Sequence, residues 1–322
     1  MTKTVLLTGA FGNIGQGTLN KLLTAGHKVI CLDRETPNTR EVADEYAGRI
    51  SIVWGDIGDP TALTRALENV DTVIHLVGII PPLSEQDGEL AQRVNVGGTR
   101  AIIAAMEASP TARRLIFASS MAVFGTLQDR EPPLRNDSIV SPDDNYGRTK
   151  VAAEEAIRSS SLSWTILRIC AAPPVEIPKG DTHDISTMFE MSADARIEFV
   201  HPEDVSTAFC NAAMCGQSIG KSLFLGGGKT CQMSGLEFAS NMVSGNGITG
   251  GLPAAAFKPS PIPVFYGDWV DTQESQRLLQ FQHYTMDDFI GHMRKAMGWK
   301  YYLIRLVSPL AKRSILKHSP YL

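Results

Sequence analysis

The chain has 322 residues, 43% hydrophobic and 20% charged, with 28 Gly and 18 Pro spread along it; this excludes a disordered or collagen-like protein and leaves room for one large core. Thirty Lys plus Arg against 34 Asp plus Glu give a formal charge of −4, so no global basic field points to nucleic acid and the expected partner is a small molecule. Cys31, Cys170, Cys210, Cys215 and Cys231 contain no C-x-x-C pair, no charged-then-apolar leader opens the chain, and no run approaches the ~18 apolar residues of a spanning helix; a reducing, cytoplasmic setting is expected.

In chain order, short runs rich in Val, Ile and Leu alternate with amphipathic stretches. Strands are expected at Val5 to Thr8, Lys28 to Asp33, Ile50 to Trp54, Thr72 to Val77, Leu115 to Ser119 and Trp164 to Ile169. Helices are expected between them, at Ile14 to Ala25, Asn38 to Tyr46, Pro60 to Glu68, Glu89 to Ala108 and Tyr146 to Ser160. Strict alternation predicts an α/β fold with a doubly wound parallel sheet and a smaller C-terminal substrate lobe. Residues 1–169 form the dinucleotide-binding part, and 201–227 return to it through a helix at Glu203 to Cys215 and a strand at Ser222 to Leu225. Residues 170–200 and 228–322 make the lobe and tail. Within them, Ala171 to Asp184, with Pro173, Pro174 and Pro178, reads as a loop, and Ser244 to Pro263 as an irregular excursion. Thr285 and Asp288 are spaced as a capping box opening a helix to about Met297.

Gly9, Gly12 and Gly15 follow the first strand and open the first helix. There, Gly9 allows a tight turn, Gly12 lets backbone N–H groups approach a pyrophosphate, and Gly15 permits close helix packing. The second strand ends in Asp33, eighteen residues beyond Gly15, where an acid accepts from ribose hydroxyls. Asp33 favours NAD over NADP, while Arg34 would suit a 2′-phosphate.

The G-x-x-G-x-x-G spacing resembles short-chain dehydrogenases/reductases, and the length resembles their extended, epimerase/dehydratase-type branch. Further segments match in order over roughly residues 3 to 225: Gly55-Asp56-Ile57, His75-Leu76-Val77-Gly78, Asn95-Val96-Gly97-Gly98-Thr99, the Ser119-Ser120 segment, Tyr146-Gly-Arg-Thr-Lys150 and His201-Pro-Glu-Asp204. The resemblance implies a Rossmann fold with Gly9, Phe11, Gly12, Asn13, Ile14, Gly15, Asp33, Arg34, Asp56, Ile57, Leu76, Val77, Gly78, Asn95, Tyr146 and Lys150 around the dinucleotide. It also implies Ser120, Tyr146 and Lys150 as the catalytic set. Tyr146 and Lys150, four apart, share one helix face. A free tyrosine titrates near ~10, and the ammonium together with an oxidised nicotinamide would draw it towards a general-base role near neutral pH. His75, inside an apolar strand, reads as a satisfied core histidine; Cys210 and Cys215 are expected to share a buried helix; no cluster has metal-ligand spacing.

The expected reaction is hydride transfer at a secondary alcohol or ketone of a sugar or sugar-nucleotide, by a dehydrogenase or an epimerase. Met121 and Ala122 occupy the positions where 4,6-dehydratases carry an Asp-Glu pair, so dehydration is disfavoured. Two features open an alternative, a smaller or more hydrophobic alcohol or ketone: Leu167-Arg168 is followed by Ile-Cys-Ala-Ala-Pro-Pro rather than an aromatic-Gly-Pro turn, and Ile79 to Leu83 form an apolar rim. A dinucleotide-binding sensor without catalysis is the alternative of another class. Glu89 to Ala108 and Tyr146 to Ser160 match the helices that pair extended-branch members into two-fold dimers, with alanines such as Ala101, Ala105 and Ala153 allowing close approach. From Lys300 to Leu322 there are five Lys or Arg and no acid, interleaved with apolar and aromatic residues and broken at Pro309. This tail is expected to close the substrate lobe in preference to binding a membrane.

Overall fold

A computed structural model describes residues 2–176 and 185–322. Among the described residues nine strands form: β1 (Thr4–Thr8), β2 (Lys28–Asp33), β3 (Ser51–Trp54), β4 (Thr72–His75), β5 (Arg114–Ser120), β6 (Ser163–Ile169), β7 (Arg196–Glu198), β8 (Lys221–Leu225) and β9 (Gln232–Ser234). Seven make one parallel sheet in the order β3-β2-β1-β4-β5-β6-β8, while β7 and β9 pair antiparallel outside it. The helices are α1 (Asn13–Thr24), α2 (Pro37–Asp44), α3 (Pro60–Ala66), α4 (Leu83–Gln86), α5 (Gly88–Ala91), α6 (Gly98–Ala108), α7 (Asn145–Arg158), α8 (Pro202–Met214), α9 (Gly235–Gly245), α10 (Gln273–Leu279), α11 (Met286–Met297), α12 (Trp299–Leu306) and α13 (Ser308–Leu316).

The sheet is covered on both faces, which is why its strands read as unbroken apolar runs. On β1, Val5 and Leu7 pack with Leu19 and Leu22 of α1 and with Val205 and Phe209 of α8. Leu6, on the other face, joins Val73, Leu115, Ile102, Met106 and Ala153. The return of the chain after β7 is physical: β8 adds to β6, α8 packs on α1, and Lys21 meets Glu203 at 3.0 Å. A separate cluster around Phe189, Ile197, Ala239, Val243 and Phe257 forms the core of the C-terminal lobe.

Local signals place the helix starts. Asp59 caps α3, Thr36 and Thr39 form a capping box on α2, and Thr285 with Asp288 forms the expected box on α11, which ends at Met297. The stretch expected as one helix from Glu89 to Ala108 is instead α5, a π-helical segment at Gln92–Gly97 and α6. That wider turn carries Asn95 inward, where its side chain spans two elements. Cys210 is buried within α8, but Cys215 lies just past its end and is only half-buried. The expected loop from Ala171 to Asp184 lies partly outside the described residues, at 177–184. No helix among the described residues is long and apolar enough to cross a membrane.

Candidate active site

The sheet order changes direction between β1 and β4, the place where open α/β sheets leave a crevice at their carboxyl ends. A cavity of about 960 Å³ opens there. Gly9, Phe11, Gly12, Asp33, Arg34, Asp56, Ile57, Leu76, Val77 and Gly78, all expected at the dinucleotide, line it, together with Asn38, Thr39, Ile79, Leu83 and Arg93, which were not. Gly9 has φ +69°, and a Cβ there would meet the Val77 backbone N at 3.2 Å. A Cβ on Gly15 would lie 2.1 Å from the Gly9 carbonyl oxygen, so helix and loop backbones touch. Gly12 is the N-cap of α1, with no side chain capping the helix and no neighbour closer than 3.5 Å to a Cβ placed on it. Uncapped first-turn N–H groups facing open space are what an anion at a helix start requires, so these residues fit a dinucleotide pyrophosphate.

Asp33 stands at the groove edge, accepting from Phe11 N at 3.2 Å and from Arg34 N at 2.9 Å. Burial pushes its carboxyl up while these N–H groups pull it down, with a net rise. Asn13, Ile14 and Gly15 form the first turn of α1 and do not line the cavity. Asn95 is buried and engaged at both ends. Its Oδ1 accepts from Ile79 N at 2.7 Å, and its Nδ2 donates to Ile79 O and Thr149 Oγ1, each at 2.9 Å. It therefore ties the loop after β4 to α7.

Past the inner end of the groove, β5 ends at Ser120, whose Oγ accepts from Ala122 N at 3.2 Å and hydrogen-bonds to the Tyr146 phenol. Asp144 caps α7, and Glu85 accepts from the Asn145 and Tyr146 N–H groups, each at 3.0 Å, so the start of the helix is pinned from two sides. Lys150 Nζ donates to Ala118 O at 2.7 Å and lies 5.6 Å from the Tyr146 ring centre. Gly78 reaches this group from the groove: a Cβ on it would sit 3.3 Å from Lys150 Nζ. Burial lowers Lys150 to about 8 and raises Tyr146 to about 12. Without a bound dinucleotide, desolvation of the phenol outweighs an ammonium that is turned to a backbone carbonyl.

Behind the site lies a network that motif reasoning passed over. Glu154, one turn beyond Lys150, accepts from Arg168 Nε at 3.0 Å and Nη2 at 2.8 Å, from Arg158 at 2.7 Å and from Ser119 Oγ at 2.6 Å. The signal was available: Arg168 is a charge inside an otherwise apolar strand, and Glu154 continues the four-residue spacing of Tyr146 and Lys150. His75 is a core histidine, with Nδ1 2.7 Å from Thr8 Oγ1 and Nε2 3.3 Å from Thr99 Oγ1, and burial lowers it to about 3. No group of three or more metal-ligating side chains exists among the described residues.

Among curated relatives, the chain is 30% identical over 225 residues to a ceramide reductase of Caulobacter vibrioides, covering 66% of this chain and 62% of that protein. It is 31% identical over 193 residues to a UDP-glucose 4-epimerase of Oryza sativa, covering 54% and 50%. The chain thus spans about half to three-fifths of the length of these relatives. A solved UDP-glucose-4-epimerase of Stenotrophomonas maltophila, with bound NAD and formylated UDP-arabinopyranose, superposes with a TM-score of 0.76 at 20% identity, covering 94% of this chain and 99% of that one. Residues 5–218, from β1 through α8, match the NAD dependent epimerase/dehydratase family, and the chain belongs to that family.

Proposed function

We propose that this chain is an NAD-dependent oxidoreductase or epimerase that transfers hydride at a secondary alcohol or ketone of a sugar or sugar-nucleotide. The observation that carries the reading is the convergence of Ser120, Tyr146 and Lys150 at the end of β5, with Gly78 joining them to the glycine-lined groove. Gly9, Gly12 and the first turn of α1 hold the pyrophosphate, Asp33 the adenosine ribose, and Lys150 the nicotinamide ribose. When bound, oxidised NAD would supply the hydride acceptor and a positive charge. Ser120 would orient the substrate oxygen, and Tyr146, in the phenolate form that a bound positive charge favours, would accept the proton of the alcohol and, as the phenol, return it to a ketone oxygen. Met121 and Ala122 are buried apolar side chains, which supports oxidoreduction or epimerisation over dehydration. Retention of the whole triad favours an enzyme over a sensor.

A second reading, a smaller or more hydrophobic alcohol or ketone, has its own support. Ile80 is 55% exposed and Leu83 also open at the rim. The test is formation of NADH at 340 nm, with product epimers separated by chromatography in parallel because an epimerase regenerates its NAD, across a panel of UDP-sugars, sugar acids and long-chain secondary alcohols. Turnover of a UDP-sugar supports the first reading and of a long-chain alcohol the second, and no turnover of any member while NAD binds would support the sensor. A two-fold dimer through the outer faces of α6 and α7 is part of the proposal, though Ala153 is used inside its own chain. Light scattering that reports a monomer would remove it.

A further inference from the structure

The tail meets the lobe through one face only. Tyr301 is buried, Ile304, Ala311 and Ile315 pack on the lobe core, and Ser308 Oγ accepts from Thr249 N at 2.7 Å. Lys312 Nζ donates to Gly250 O at 2.9 Å, and Ser319 Oγ to Ala256 O at 2.6 Å. This accounts for one apolar stripe, as closure of the lobe requires. A second stripe points away from it: Trp299, Tyr302, Leu303, Leu306, Val307 and Leu310, with Trp299 69%, Leu306 81% and Leu310 71% exposed. Their spacing runs along one side of α12 and continues into α13. Helical repetition then brings Arg313 and Lys317 onto the same line. From Phe289 to Leu322 the chain carries seven Lys and Arg and no acid.

From this double-faced tail we infer a peripheral membrane-docking surface, whose occupant is the headgroup and upper acyl region of a bilayer rich in anionic lipid. The helices have eight and nine residues, far short of the ~20 needed to span, so they lie in the interface. Trp299 and Tyr302 are the aromatic types that settle at that depth, the Leu and Val side chains enter the acyl boundary, and the basic residues meet lipid phosphates. A second copy of the chain on this face would bring the Arg313 and Lys317 pairs of two basic tails together with no acid in either tail to pair with them, which argues against self-association. The inference is independent of the substrate reading, because the inner face closes the lobe whatever binds there.

The test uses the full chain and sedimented vesicles of phosphatidylcholine alone or with roughly one third phosphatidylserine. Binding to the anionic vesicles at least ~10-fold stronger than to the neutral ones, reversed by ~0.5 M salt, is expected. Leu306→Asp with Leu310→Asp, at exposed positions, should abolish binding while thermal unfolding and NAD affinity stay unchanged. Arg313→Gln with Lys317→Gln, which leaves the apolar stripe intact, should weaken it ~10-fold. Either variant suffices if the other fails to fold. Absence of vesicle binding, equal binding to neutral vesicles, or self-association that Leu306→Asp removes would overturn the inference.

Discussion

At the front of α7, half-buried Tyr146 and buried Lys150 have a hydroxyl and a backbone carbonyl for company, whereas one turn further back Glu154 receives two arginines and a serine. The consequences for proton affinity run in opposite directions. Burial dominates at the front, holding Tyr146 protonated and easing the proton off Lys150. At the rear, burial pushes Glu154 up, but Arg168, Ser119 and Arg158 together hold it below the usual carboxylate range. The rear is a satisfied network that fixes α7 against β5 and β6; the front is left incompletely compensated, so that a bound positive charge and a substrate oxygen have something to change.

Breaking the rear should have the largest effect. Glu154→Ala leaves the Arg168 guanidinium buried without its acid and is expected to cost about 3–5 kcal/mol in urea unfolding, with NAD binding weakened only through the fold. A loss near zero would mean that the network does not hold the helix. Ser120→Ala tests the front: turnover should fall about 10²-fold with stability nearly unchanged, and an unaffected rate would remove Ser120 from the site.

The two ends also predict opposite pH signatures. Glu154, depressed on folding, contributes stability that is present above its unfolded value and lost as pH falls through its folded one, so it acts on the acid side. Lys150, at about 8 when folded against ~10.4 unfolded, gives the unfolded chain more bound protons between those values. Lys150 should therefore contribute about 1–3 kcal/mol of rising stability across that alkaline window, read as the difference between the unaltered chain and Lys150→Met, because the buried Cys31, Cys170 and Cys231 thiols, pushed up by burial, act the other way in both. A flat difference between the two would show the ammonium to be paired after all.

The sequence made the groove legible because its devices are local: three glycines, a strand end and an acid at fixed spacing. Helix starts at Thr36, Asp59 and Thr285 were equally local. What escaped depends on distant partners. Glu85 pins α7 from sixty residues away, Asn95 points inward from a π-helical turn, and Glu154 finds Arg168 across the sheet. In the tail, one sequence with two apolar stripes reads as a single broad one until the lobe covers half of it.

The smallest expected effect concerns the groove, the counterpart of α7 across Gly78. Asp33→Ser should shift the ratio of NAD to NADP affinity about 10-fold towards NADP in calorimetric titration. Unaltered preference would place discrimination elsewhere, with Arg34 the next residue to change.

In the proposed reaction Tyr146, held by a locked helix beside the groove, is the group that exchanges a proton with the substrate. Its most direct test is Tyr146→Phe, with turnover measured on the substrate found in the panel and NAD affinity measured on the same preparation. Turnover lower by ~10²-fold or more, with NAD affinity changed less than ~3-fold, is expected. Undiminished turnover, with NAD still bound, would contradict it.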